Sequence, residues 1–413
     1  MKNTNQLYNS FREIASSYGT PCWVYNENEI RRRITLLKNF DTVRYAQKAN
    51  SNTHILSLMR SLGVVVDAVS QGEISRAIVA GYTASKESSD IIFASDILDQ
   101  PTLKEVTELG IAVNVGSPQM LSQLGAISKG HKVWLRINPG FGSGFSRKTN
   151  TGGEYSKHGI WHENLEECYQ LIKDYELNLV GLHMHIGSGA EFSQLKRIAE
   201  AMVTEVKKCP FDIQAISTGG GLPIRHKEED QEFDIQSYCE IWNHAKNSIE
   251  NYLGHTIELE VEPGRYIVGN SGYLISEVRA KKDVGSNRFV LLDAGFNDLV
   301  RPAMYGGYHK INVIPKFSDS EKAEPRPTII AGPLCEAGDV FTQDTNGVVT
   351  TQDLPEPDIG DLAIFHDSGA YCSSMSSNYN SRPLAPEVLL NGNQHKLIRR
   401  RQPFDDLLKL ELI

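Results

Sequence analysis

Lys48 lies in YAQKANSN, residues 45–52, directly before a Ser/Asn-rich turn. A lysine there stands out because its ammonium is costly to bury without a partner. The run TVRYAQKA, residues 42–49, reads as a strand with Arg44, Ala46 and Lys48 on one face and Val43, Tyr45 and Gln47 on the other. Alone, it also fits an edge strand whose lysine discourages aggregation. Other apolar runs carry equally reactive residues: Asp67 in VVVDAVS, Arg136 in KVWLRINP, His185 and Ser188 in LVGLHMHIGS, Gly219, Gly220 and Gly221 in IQAISTGGG, and Glu262, Gly264 and Arg265 in IELEVEPGR. Three glycines let backbone N–H groups approach an anion, and a serine hydroxyl with a nearby arginine completes a phosphate site. Taken singly, GGG is as well explained by a tight turn. His183 and His185 are either two ordinary strand histidines or a metal pair at i, i+2. No cysteine or carboxylate cluster completes a ligand set, so no metal is expected.

A cofactor with a phosphate, an aromatic ring and an aldehyde unifies the set. Pyridoxal 5'-phosphate needs a lysine for its Schiff base, a flat side chain on its ring, a phosphate cradle and a carboxylate that keeps the pyridine nitrogen protonated. Lys48, His185, the group formed by Ser188, the glycines and Arg265, and finally Glu262 answer those four needs. The carboxylate keeps the ring cationic and able to absorb the electrons of a carbanion; an arginine there would weaken that sink. On this reading Lys48 is buried at the site, where desolvation and a nearby cation favour loss of its proton.

Such residues meet only if their elements converge. Eight apolar or β-branched runs, at 42–49, 64–70, 90–94, 112–116, 132–139, 179–188, 213–221 and 257–265, alternate with helical patterns. In SNTHILSLMRSLG, Ser51 is placed to cap and Ile55, Leu58, Met59 and Leu62 fall at helical spacing; GEISRAIVAGY ends at a C-capping glycine. Eight alternating units predict an α/β fold with a (β/α)8 TIM-like barrel, whose strand ends share one mouth; periodicity leaves an open doubly wound sheet possible. The long segment 140–159 after the fifth run is expected to be a partly mobile active-site loop. Beyond residue 270, strands occur without regular helices: SGYLISEVRAKK, RFVLLDAGF, PTIIAGPLC, DLAIFHDSG, PEVLLNG and QHKLIRRR. They predict a second, mostly antiparallel β domain that WVYN joins. The expected division is 26–270 for the cofactor-binding barrel, and 1–25 with 271–413 for a β domain that completes the active site.

Composition narrows the function classes. A net charge of −9 and the lack of any basic run longer than the arginines near 399–401 speak against nucleic acid or an anionic membrane as partner. Six cysteines without a CxxC pair predict neither a disulfide framework nor a zinc site, and fit a reducing cytoplasm. The N-terminus lacks the apolar core of a signal peptide, and no window reaches the ~20 apolar residues of a membrane span.

YAQKAN, GLHMHIGSG, STGGG, EPGR, DAGFNDLVRPAMYGGYH, GPLCEAGD and GAYCSSMSSNYNSRP, in that order, resemble the pyridoxal-phosphate decarboxylases of the alanine-racemase-like fold, specifically the diaminopimelate decarboxylase family. The resemblance runs from about residue 21 to the C-terminus. It implies that Lys48 forms the Schiff base, His185 stacks on the ring and Glu262 bonds the pyridine nitrogen. It implies that Ser188, Gly221, the Glu262, Pro263, Gly264 and Arg265 turn and Tyr371 form the cofactor shell. Arg265, Arg301, Tyr305, Glu336 and Tyr371 are then the substrate contacts. A distal carboxylate calls for arginine, and a distal ammonium for a carboxylate such as Glu336. Cys335 resembles the residue that reprotonates the carbanion, against the commoner fate of a small buried hydrophobe. The implied reaction is decarboxylation of meso-2,6-diaminopimelate to L-lysine and carbon dioxide, the last step of lysine biosynthesis. The implied assembly is a homodimer with shared active sites.

Two departures from the family pattern occur. FASDILDQ replaces a His/Gly/Asn-rich motif after the third run, and SKHG at 156–159 replaces the common SKFG. Other readings of the same fold are a decarboxylase of ornithine, arginine or carboxynorspermidine, an amino-acid racemase, or a non-catalytic relative that binds protein partners. Arg301 separates the first, because ornithine has no distal carboxylate, and the intact Lys48, Glu262 and Cys335 speak against the last.

Overall fold

Unbroken β-branched and apolar runs make strands covered on both faces, as parallel sheets require. In the computed structural model, which describes residues 2–144, 149–189, 192–316 and 324–412, eight such runs form parallel strands. In chain order these barrel strands are Thr42–Ala46, Val65–Ala68, Ile91–Ser95, Ala112–Val115, Lys132–Asn138, Asn178–Met184, Ala215–Ser217 and Glu258–Val261. The fourth pairs with the fifth and the eighth with the first, Glu260 opposite Thr42, so the ring closes. This settles the choice between a (β/α)8 barrel and an open sheet in favour of the barrel.

Helices between the strands start at polar caps that accept orphan N–H groups: Asn52 from His54, Ser70 from Glu73, Asp99 from Thr102 and Asp234 from Ser237. Asn52, not the expected Ser51, caps the helix Thr53–Ser61. The first strand also stops earlier than its composition predicts. It ends at Ala46, and Gln47–Ala49 form one 3₁₀ turn, held where Gln47 Nε2 donates to the Asp67 carbonyl at 3.0 Å and Tyr45 Oη to the Asn50 carbonyl at 3.0 Å. Lys48 therefore leaves the two-residue alternation. It is exposed, correcting the expectation of burial, because the turn carries it past the strand end.

The chain forms two units. One comprises Arg33–Ile224 and Glu232–Tyr266 and contains the barrel; the other comprises Met1–Arg32, Arg225–Gln231 and Ile267–Ile413. The second is built on a nine-stranded, mostly antiparallel sheet. Cys22–Asn26 pairs antiparallel with Gly272–Val284 and parallel with Glu387–Asn391. Phe11 and Ile14 of the helix Lys2–Tyr18 pack on Cys22, Val24, Ile275 and Val388 of this sheet. Two of its strands, Ile311–Ile314 and Gln352–Leu354, are too short to stand out in the sequence.

Candidate active site

The barrel mouth gathers charged groups from five strands and the turns that follow them. Arg44, on the first strand, is buried and makes two 3.0 Å bonds to Glu260 on the eighth. Two residues on, Glu262 is buried as well; its Oε2 lies 2.8 Å from His183 Nε2, and its Oε1 accepts from Ser217 Oγ at 3.2 Å. Burial by itself would raise the Glu262 carboxyl. The hydrogen-bonded His183 and the Arg44 guanidinium outweigh it and hold Glu262 well below the usual carboxylate range. Asp67 goes the other way. Burial raises its carboxyl against the pull of the Lys48 ammonium, and Glu262 nearby adds to the rise. The mouth thus has one carboxylate held ionised and one pushed toward its protonated form.

His185 follows the sixth strand and is half-buried. Burial, with the Arg136 and Lys48 cations beside it, holds its imidazole well below the ordinary histidine range, so it presents a neutral flat ring. The triple glycine packs against it. A Cβ at Gly219 would lie 2.6 Å from His185 Cβ; one at Gly221 would lie 3.0 Å from His185 Cε1 and 2.0 Å from the Gly187 carbonyl. Gly219 and Gly221 also have φ of +64° and +86°. Both close approach and backbone conformation therefore demand glycine here. Ser188 is half-buried beside this segment, and Gly189 donates to the Gly221 carbonyl at 2.8 Å. Pro263 and Gly264 are buried and Arg265 half-buried, and the Pro263 carbonyl accepts from Ala46 N at 3.2 Å, tying that turn to the strand before Lys48.

Of the segment 140–159, expected to be a partly mobile loop, residues 145–148 lie outside the described residues and several others are tied down. Ser143 and Thr151 donate backbone N–H groups to the Ile186 carbonyl, and Thr151 Oγ1 donates to the His185 carbonyl, each at 3.1 Å. The two departures from the family pattern touch: His158 Nδ1 lies 2.5 Å from Asp96 Oδ2, and Gly159 N donates to Asp96 Oδ1 at 3.0 Å.

The β unit carries the other expected site residues. Arg301 opens the short helix Arg301–Tyr305; it is buried, its Nε has no hydrogen-bond partner among the described residues, and its guanidinium lies 5.9 Å from the Tyr305 ring. Cys335 and Glu336 are exposed, which removes the buried-hydrophobe reading of Cys335. Their turn is fixed by Asp339, which accepts from Leu334 N and Phe296 N, each at 2.7 Å. Asn380 Oδ1 accepts from Cys335 N at 2.9 Å, and Tyr379 Oη donates to Glu336 Oε2 at 3.5 Å. Tyr371 is half-buried with φ +57°.

The sequence expectation groups Lys48, Asp67, Arg136, His185, Ser188, the glycines, Glu262 and Arg265, and the barrel unit brings them to one end. Nothing in the sequence singles out Ser217 or Glu260. The only signal for His183 is its position two residues before His185.

The residues fit pyridoxal phosphate: an exposed amine, a neutral flat imidazole, a glycine cradle that any Cβ would fill, and a buried ionised carboxylate. Comparison with known proteins agrees. Residues 27–269 match the family described as pyridoxal-dependent decarboxylase, pyridoxal binding domain. The chain belongs to the pyridoxal-dependent decarboxylase family. Its full-length relatives narrow the class to diaminopimelate decarboxylases: that of Streptomyces coelicolor is 55% identical, covering 96% of this chain and 90% of its own, and that of Escherichia coli K12 is 52% identical, covering 100% and 98%. A crystal structure of a diaminopimelate decarboxylase superposes with a TM-score of 0.94 at 53% identity, over 97% of this chain and 96% of that one. The Helicobacter pylori diaminopimelate decarboxylase in complex with L-lysine does so at 0.85 and 30% identity, over 97% and 98%.

Proposed function

We propose that the chain decarboxylates meso-2,6-diaminopimelate to L-lysine and carbon dioxide with pyridoxal 5'-phosphate as cofactor, as the last step of lysine biosynthesis. The observation that carries the reading is the buried Glu262, held ionised in the barrel mouth that Lys48 and His185 share. When bound, the cofactor supplies an electron sink for the pair left as the bond from the α-carbon to its carboxylate breaks. Lys48 would hold the cofactor's aldehyde through Nζ and move protons at that atom. Glu262 would accept a hydrogen bond from the cofactor's ring nitrogen and keep that nitrogen protonated. His185 would offer its flat face to the cofactor's ring, and Ser188, Gly221, Pro263, Gly264, Arg265 and Tyr371 would hold the cofactor and its phosphate.

Arg301 takes the distal carboxylate of the substrate, which its buried guanidinium, with an Nε that has no hydrogen-bond partner among the described residues, supports. Tyr305, Arg265 and Tyr371 flank the substrate, and Glu336 takes the distal ammonium. Cys335 gives its Sγ proton to the α-carbon after carbon dioxide leaves. The exposure of Cys335 and Glu336 supports their service to a neighbouring subunit's site, and hence a homodimer with shared sites. Six free cysteines support a reducing cytoplasm as the working compartment, and a net charge of −9 speaks against a nucleic-acid partner. No helix among the described residues is long and apolar enough to cross a membrane. Borohydride reduction of the cofactor-loaded chain, followed by peptide mass analysis, tests the core of the reading. The cofactor's mass should stay on the peptide containing Lys48, and a label on any other lysine would overturn the assignment.

A further inference from the structure

Glu262 is held through both of its oxygens by two residues that face each other across neighbouring strands. His183 of the sixth strand is the register partner of Ser217 of the seventh, and the pair reach Oε2 and Oε1 of Glu262 at 2.8 and 3.2 Å. All three side chains are buried, His183 to 2% and Ser217 to 1% of full exposure. The His183 Nδ1 has no hydrogen-bond partner among the described residues, so the polar tie of this ring is the one to Glu262. At neutral pH the carboxylate has no proton to give, so the imidazole donates from Nε2.

The other groups around Glu262 either act on its charge through space, as Arg44 does, or carry no positive charge to offset it. Arg44 on the first strand is engaged by Glu260 through two bonds. Ser217 is uncharged, and its oxygen also accepts from Gly219 N at 3.2 Å. Asp67 on the second strand is a like charge, His185 a neutral ring, Lys48 exposed beyond the first strand, and Tyr238 a hydroxyl on the helix Ile235–Leu253.

We propose that His183 is a positioning residue of the reaction: it locks the Glu262 carboxylate in its charged form and in one direction, and so sets the proton affinity of the cofactor's ring nitrogen. This rests on the reading that Glu262 meets that nitrogen. His183 then controls how strongly the ring draws electrons without itself touching the cofactor's reacting atoms.

Full-length His183→Leu, His183→Gln and Glu262→Gln, each loaded with pyridoxal phosphate, test it. Four quantities are read: the dissociation constant of pyridoxal phosphate from the stripped chain, the pH titration of the bound cofactor's visible absorption, and kcat and KM with meso-diaminopimelate. His183→Leu should lower kcat about tenfold to a hundredfold, the range of one lost hydrogen bond to a charged group, with KM little changed. It should weaken cofactor binding and displace the absorption titration. His183→Gln, whose amide N–H reaches a similar point, should restore most of each. The Glu262→Gln change made on top of His183→Leu should add little to Glu262→Gln alone. An unaltered titration and kcat in His183→Leu, beside an impaired Glu262→Gln, would overturn the proposal and leave the Glu262 assignment standing. A Glu262→Gln chain with normal absorption and turnover would overturn both. Should His183→Leu fail to fold, His183→Asn, polar but too short to reach Oε2, is read in the same way.

Discussion

Glu262 and Asp67 are both buried carboxyl groups at one end of the barrel, yet one is held ionised and the other is raised. Pushing two such groups apart is how a site divides labour between a fixed charge and a proton-carrying group. Lys48 and Glu262 were legible because each closes an apolar run, a local signal. His183 was not, since its meaning lies in a carboxylate 79 positions away that only barrel closure brings near. The exposure of Lys48 is not legible for a similar reason: a bond from Gln47 to the Asp67 carbonyl, not composition, turns the chain after Ala46. At Arg301, replacement by methionine keeps the apolar packing and removes the charge. KM for meso-diaminopimelate should rise about tenfold to a hundredfold, measured by steady-state kinetics, with the cofactor spectrum unchanged. Asp298, three residues before Arg301, accepts from Gly295 N at 3.2 Å, and burial pushes its carboxyl up to about 7. Its folded value lies above its unfolded one, so the unfolded chain ionises first. Stability should then fall as pH rises from the unfolded value toward 7 and level off above it. Thermal melts across that window should show this slope in the native chain and a flatter one in Asp298→Asn.

Elements were more legible than their ends. The alternation of eight apolar runs with helical patterns gave the barrel because covered parallel strands need unbroken apolar stretches, whereas Ile311–Ile314 and Gln352–Leu354 are strands only through their neighbours. Two elements carry predictions. The pair of Arg44 and Glu260 ties the first strand to the eighth where the ring closes. Glu260→Leu would leave the arginine buried without its carboxylate and should cost about 3–5 kcal/mol in denaturant unfolding, while the double change with Arg44→Met should recover much of that loss. Asp96 and His158 join the end of the third strand to the loop that reaches the His185 and Ile186 carbonyls. Burial would raise Asp96, but the His158 and Gly159 hydrogen bonds and the Arg136 cation hold it low, as a group serving as an ionised acceptor should be. Asp96→Ala and His158→Ala should each speed proteolytic cleavage within 140–159 several-fold, the double change adding little, since both break one contact. Additive effects would show that the two act separately. The sequence showed both residues only as separate departures from the family pattern, with nothing to say that they meet.

At the scale of the whole chain, the expected chemistry is distributed. The barrel unit holds Lys48, His185, Ser188, Gly221 and Glu262, and the β unit holds Arg301, Tyr305, Cys335, Glu336 and Tyr371. Motifs reached both sets in the sequence because each is a short contiguous segment; whether any site is shared between copies of the chain is a property of assembly that no segment encodes. If sites are shared, mixing inactive Lys48→Ala with inactive Cys335→Ala chains should restore about a quarter of native activity, since random pairing gives half mixed dimers with one intact site each. No recovery after subunit exchange would favour sites built within one subunit. The central claim is that a decarboxylase barrel here serves a substrate with two carboxylates. The most direct test is carbon dioxide release from the purified, cofactor-loaded chain given meso-diaminopimelate and ornithine in parallel. The account predicts release from diaminopimelate with L-lysine as the other product and none from ornithine; release from ornithine alone would contradict it.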